Sequence, residues 1–425
     1  MESRVDLALI NVRLPDGRRA DVSIRDGRVV HTGASGPADR TIDCTGKIVL
    51  PAAVDVHVHM RGGSQSEKED WETGSRSALA GGVTVVVDQP NTVPPLTAPE
   101  VYRRRVADAQ AHSLCSFAIN SAVTPQTAVE EMWSSGAMAF GETFFAPSSY
   151  GEALSASDLS LMLGRIRTLG GLATIHAESV RPGEDFGLAA HDRLRSPEGE
   201  RDAVLAVQAC NTAGCRLHFC HMSSARSLAA ARGTVEVTPH HLFLSREKTR
   251  DEDTTFKVNP PVRSERERKA LFACWDRIDL IASDHAPHTP ADKAQEFSSA
   301  PSGVPGVETM VPLLLAEVLE KRLALPDVIK KTSTAPAALL GIPAAGFLPG
   351  DRADFTICPC EAVPIAADNL HSRCGWTPYE GMPAVFPAIV IRDGAVVYES
   401  GEFTRIPPVW YAGKGYTPAL MSPKR

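Results

Sequence analysis

The chain has 425 residues, 43% hydrophobic and 22% charged, with a formal net charge of −7. This is the composition of a folded globular protein; it excludes disordered and collagen-like chains and offers no clustered basic footprint for nucleic acid, and no apolar run reaches the roughly 18 residues of a membrane span. Nine scattered cysteines, and an N-terminus that turns polar too early for a secretory signal, point to a reduced, cytoplasmic protein.

Residues 5–32 alternate apolar and polar positions, with turns at Pro15-Asp16-Gly17 and Asp26-Gly27, which predicts short antiparallel strands. From about 51 to 344 the pattern changes. Apolar, strand-like runs recur at 83–87, 172–175, 216–220, 235–237 and 280–282, separated by stretches of helical period at 98–111, 157–169, 200–213 and 265–275. Strands alternating with helices predict parallel β/α units, and about 290 residues of them fit a (β/α)8 TIM-like barrel in the α/β class. A doubly wound sheet would carry a Gly-rich phosphate loop after its first strand, and no G-x-G-x-x-G occurs. The far end returns to strand-like runs at 353–357 and 388–398. Both ends carry an Arg-Asp-Gly turn, at 25–27 and 392–394, so residues 1–50 and 345–425 are expected to fold together as one small β domain beside a barrel of 51–344. The Pro-rich, polar tail 403–425 reads as a surface strap.

The polar residues that carry chemistry stand just after the apolar runs, where a barrel has its active-site mouth. In Val54-Asp55-Val56-His57-Val58-His59-Met60-Arg61, alternate side chains point the same way. His57 and His59 therefore aim at one point, as do Asp55 and Arg61 if the strand continues. An HxH alone is a weak signal. His176 closing LATIH, His221 after RLHFC and Asp284 after DLIAS add donors from three further strand ends. Four histidines and an aspartate meeting at one mouth make a site for one or two divalent metal ions such as zinc. His240-His241 read as packing or as supports behind the ligands, and His285 as facing away from Asp284. Cys358-Pro359-Cys360 has the wrong spacing for a zinc knuckle, and Cys210, Cys215 and Cys220 read as small hydrophobes.

The ordered set HVHMR, GGVTVVVDQPNT, HAES, CHMSS, KVNPPVR, SDHAPHT and SGVPGVET resembles the amidohydrolase superfamily, and within it the dihydroorotase branch, over about residues 5–400. The resemblance implies a metal-dependent barrel with a small β-sandwich made from both chain ends. It implies reversible hydrolysis of a cyclic amide, dihydroorotate plus water to N-carbamoyl-aspartate, in pyrimidine biosynthesis. His57 and His59 match the first metal's ligands, His176 and His221 the second's, and Asp284 a ligand that also shuttles the proton. Arg61, Asn91 and Asn259 match residues holding the substrate carboxylate and ring edge. His288 matches a further substrate contact, and Val304-Pro305-Gly306 a loop whose backbone meets the ring amide. Two departures stand out. Where many relatives place a carboxylated lysine between the metals, Ala139-Phe140-Gly141-Glu142-Thr143-Phe144-Phe145 has no lysine, and Glu142 is the stand-in, either bridging two ions or leaving one well bound. Gly62-Gly63 follows Arg61 where many relatives carry an acidic residue and a proline, which alters the loop at the mouth.

A guanidinium aimed into a buried mouth needs an anion, and its planar fork matches a carboxylate. Dihydroorotate has one; hydantoins, dihydropyrimidines and allantoin do not. The alternatives are Arg61 in a salt bridge with Asp55 or Glu178, another cyclic-amide hydrolase (allantoinase or hydantoinase/dihydropyrimidinase), and a non-catalytic homologue serving as an assembly partner. Barrels of this family often associate, so the resemblance implies a homo-oligomer, and aspartate transcarbamoylase as a partner of some members. Loop 290–303 is the candidate lid.

Overall fold

In the computed structural model, which describes residues 4–144 and 154–418, the chain opens with β1 (Val5–Arg13), β2 (Arg19–Arg25), β3 (Arg28–Gly33) and β4 (Ala38–Asp43), arranged β3-β2-β1-β4. A short β5 (Ile48–Pro51) leads into eight parallel strands: β6 (Ala53–Val58), β7 (Val83–Asp88), β8 (Ser116–Ile119), β9 (Phe140–Phe144), β10 (Leu172–His176), β11 (Arg216–Phe219), β12 (Thr234–Val237) and β13 (Leu280–Ile281). β6 to β8 pair in order, as do β9 to β13. Parallel bridges from Ser121 to Phe140 and from Val58 to His285 join the two sheets at both seams, so the eight strands close into a ring. β6, β7 and β8 are buried at every position. This is why the strands read as continuous apolar runs: one face fills the barrel and the other lies under helices.

The helices fall where the period places them, with shifted ends. They run Pro99–His112, Ala156–Leu169, Pro197–Cys210 and Glu265–Phe272. The stretch expected at 200–213 starts three residues earlier because Ser196 caps it and Pro197 occupies its first turn. Ser155 and Ser264 cap their helices in the same way.

After the barrel, β14 (Phe355–Cys358) pairs antiparallel with β5, while β15 (Val363–Pro364) and β16 (Pro383–Ala384) form a side hairpin. β17 (Ile389–Arg392), β18 (Ala395–Glu399) and β19 (Glu402–Phe403) complete the order β19-β18-β17-β14-β5. Leu9, Val22 and Ile24 from one end share a core with Phe355 and Ile391 from the other. The repeated Arg-Asp-Gly is a physical contact. Asp26, Gly27, Asp393 and Gly394 all have φ between 48° and 77°, and a Cβ on Gly27 would stand 3.1 Å from the Asp393 carbonyl oxygen. In the tail, Val409 and Tyr411 exchange backbone hydrogen bonds of 2.9 and 2.8 Å with Phe117 of β8. Among the described residues, no helix is long and apolar enough to cross a membrane.

Candidate metal centre and substrate cavity

His57 near the end of β6 and His59 just past it meet at one place. Oδ1 of Asp284 lies 3.0 Å from Nε2 of His59 and 3.5 Å from Nε2 of His57. The strand does not continue to Arg61, whose φ is 44°. Arg61 therefore leaves the face it was expected to share with Asp55, and Asp55 instead accepts from the backbone N–H groups of His57 and Ser283. His221 and Asp284, just past the ends of β11 and β13, have φ of 34° and 46°. These left-handed turns are uncommon for side-chain-bearing residues and concentrate at functional sites.

Glu142 reaches the same point from β9. The β9–β10 register shifts between Ala173 and Ile175, and a Cβ on Gly141 would stand 2.1 Å from the Thr174 carbonyl oxygen. Only glycine permits that approach, and it carries the short glutamate inward. Oε1 of Glu142 lies 2.7 Å from Nδ1 of His176 and 2.9 Å from Nε2 of His221, while Oε2 lies 3.8 Å from Nε2 of His57. One oxygen thus faces His176 and His221, and the second faces His57. Burial raises the Glu142 carboxyl, but hydrogen bonds with His176 and His221 outweigh it and hold the group well below the usual carboxylate range.

These residues fit a divalent cation. Nε2 of His57 is buried without a hydrogen-bond partner among the described residues, yet two carboxylates flank it at 3.5 and 3.8 Å. Ligands about 2.1 Å from a tetrahedral ion stand about 3.4 Å apart. Two triads, His57/His59/Asp284 and His57/Glu142/His221, each gather their donor atoms within 4.8 Å. Imidazole and carboxylate donors suit zinc and neighbouring divalent ions.

Sequence reasoning missed the support behind this set. Glu236 on β12 receives Nδ1 of His57 at 2.7 Å, Nε2 of His218 at 2.9 Å and the backbone N–H of His221 at 3.0 Å. Its signal was an acid in the middle of an apolar strand. Glu178 stands 3.3 Å from Nε2 of His176.

A cavity of about 470 Å³ opens over the cluster, lined by the donors His59, Glu142, His176 and Asp284 together with Arg61, Lys68, Asn91, Asn259 and His288. Asn91 also receives Nδ1 of His59 at 2.7 Å. Pro305 and Gly306 do not line this cavity. They border a much smaller one with His285 and Glu308, and the loop meets the main cavity through Pro301, Ser302 and Gly303. The backbone N–H of Gly306 is spent on Nδ1 of His285, which turns away from the mouth toward Glu69. His241 is held by Thr238 and the Pro260 carbonyl, in the packing role expected. Arg61 forms no ion pair with Asp55, Glu178 or any other acid among the described residues; its guanidinium bonds only the Pro287 carbonyl at 3.3 Å and His288 at 3.4 Å. Burial lowers Arg61 to about 10, which leaves it charged at neutral pH.

No family model matches the chain. Curated relatives do. A dihydroorotase of Halobacterium salinarum is 39% identical over 403 residues, covering 91% of this chain and 95% of the relative. One of Methanosarcina mazei is 37% identical over 412 residues, covering 89% and 90%. Among solved structures, L-hydantoinase (dihydropyrimidinase) from Arthrobacter aurescens superposes with a TM-score of 0.86 at 27% identity, covering 94% of this chain and 97% of that one. A D-hydantoinase from Thermus sp. gives 0.86 at 22%, a likeness of fold alone. With a closed parallel barrel, converging metal donors at its mouth and this level of identity along nearly the whole chain, the protein belongs to the dihydroorotase family of the amidohydrolase superfamily.

Proposed function

We propose that the protein interconverts dihydroorotate and N-carbamoyl-aspartate in pyrimidine biosynthesis, with zinc as the resident ion. The single observation that carries this reading is a half-buried Arg61 guanidinium, without an ion pair among the described residues, lining the same cavity as a His/Asp/Glu cluster. The cluster suits opening of an amide, and the cation suits a ring that bears a carboxylate. In this reading residues 1–50 and 345–425 form a composite β-sandwich domain beside a catalytic barrel of 51–344.

His57, His59, His176, His221, Asp284 and Glu142 would hold one or two ions, with Glu142 as the bridge. When bound, a divalent ion supplies an acidified water and polarises the ring carbonyl. Asp284 accepts the proton of the attacking water and delivers it to the departing ring nitrogen, acting as base and then acid. Arg61 binds the carboxylate with a planar fork, and Asn91, Asn259 and His288 fix the ring so that its carbonyl meets the cluster. His288 does this as a neutral ring. Burial and the nearby charges of Arg61, Lys293 and Lys68 lower it to about 2.

Hydantoinases are the fold neighbours, so the test is a substrate panel. Turnover of dihydroorotate above that of hydantoin, dihydrouracil and allantoin is expected. Turnover of hydantoin without dihydroorotate overturns the assignment.

A further inference from the structure

Asn259 lies on the cavity wall with one end of its amide already engaged. Oδ1 stands 2.9 Å from Nε2 of His191 and 3.1 Å from Oγ of Ser302. The two ends of an amide are told apart by what surrounds them, and here a group that cannot rotate decides it. The backbone carbonyl of Val258 lies 3.0 Å from the same Nε2. A carbonyl only accepts, so Nε2 carries a proton and donates. The Asn259 atom facing that N–H is therefore the oxygen, and the Ser302 hydroxyl donates to it as well. Both acceptor positions of Oδ1 are used, which leaves the NH2 for the cavity. His191 is itself fixed. It is buried on the helix Leu188–Leu194, its Nδ1 is 2.8 Å from Oδ2 of Asp185, and its ring meets Phe297 edge-on at 5.8 Å.

We propose that His191, anchored by Asp185, is a positioning residue that locks the Asn259 amide with Nδ2 donating to an oxygen of the substrate. This rests on the dihydroorotate reading above. An unlocked asparagine offers either end to a ligand. The locked one joins Arg61 and Lys68 in a wall of donors, which favours acceptor-only groups such as a carboxylate and rejects a ligand presenting N–H there.

The test is KM and kcat for dihydroorotate in His191→Leu, with metal content and thermal midpoint measured on the same preparation. KM is expected to rise about tenfold, as for a lost hydrogen bond to a charged group, while kcat changes by less than about threefold and metal content is unchanged. His191→Gln, whose amide also donates, is expected to recover part of the loss. A lowered midpoint with unchanged KM is a merely structural effect and overturns the proposal. Should His191→Leu not fold, Asp185→Asn, which loosens His191 at a residue that does not line the cavity, decides the matter: a KM raised severalfold with metal content unchanged supports the lock, and an unchanged KM overturns it. A wild-type protein inactive on dihydroorotate overturns the underlying reading and the proposal with it. An active wild type with unmoved KM in the variants overturns the proposal alone.

Discussion

Glu236 receives Nδ1 of His57 at 2.7 Å, on the side of the ring opposite the nitrogen that faces Asp284 and Glu142. The same carboxylate bonds the backbone N–H of His221. One acid thereby orients a donor of each triad and fixes which nitrogen of His57 is presented. Glu236→Gln is expected to weaken divalent-metal affinity about 10- to 100-fold, the usual cost of losing such a support. Competition with a chromogenic chelator measures it, and unchanged affinity would rule out the orienting role.

The placement of Glu142 predicts a stoichiometry. With one oxygen at His176 and His221 and the other toward His57, Glu142→Ala removes the link between them. Bound metal is expected to fall from two equivalents to one or fewer by elemental analysis of protein purified without chelator. Metal reloading of the wild type is expected to proceed equally with or without bicarbonate, since no lysine awaits carboxylation in residues 139–145. Two equivalents retained in the variant, or bicarbonate dependence in the wild type, would contradict a bridging glutamate.

Arg61→Met keeps the length of the side chain and removes its charge. KM for dihydroorotate is expected to rise about 10- to 100-fold with metal content unaltered, because the residue touches none of the donor atoms. An unmoved KM in steady-state assays would show that the guanidinium does not hold the carboxylate.

Much of the barrel was legible because strands buried on both faces leave uninterrupted apolar runs, and the histidines and Asp284 were legible because they end such runs. Three things were not. Arg61 shares the face of Asp55 only if the strand continues, and a left-handed residue ends that alternation. Glu236 stands between Val235 and Val237, and its partners His57 and His218 lie on other strands, so nothing local marks its role. Pro305 and Gly306 were assigned to the cavity by resemblance. Their actual position follows from a hydrogen bond between Gly306 and His285, a contact 21 residues apart that no local pattern encodes. Long-range geometry decides these cases, and spacing is silent on it.

Lys293 links the cavity wall to the stability of the fold. It is 5% exposed; its ammonium donates to the Pro301 carbonyl at 2.9 Å and the Lys257 carbonyl at 3.2 Å, and lies 5.6 Å from the Trp376 ring centre. Burial lowers it to about 7, with Lys257 and Arg61 adding repulsion and Asp253 and Asp292 opposing it. An unfolded lysine keeps its proton to about 10.4. Between those values the unfolded chain holds a proton the folded one has shed, so this group makes stability rise with pH, by up to about 1.4 kcal/mol per unit. Below about pH 7 both states are protonated and its contribution is flat. Urea unfolding of wild type and Lys293→Met from pH 6 to 10 isolates the effect, because every other titrating group is common to both. The wild-type stability minus that of the variant is expected to be level up to about pH 7 and to climb above it. Parallel curves would mean that Lys293 stays charged in the folded protein.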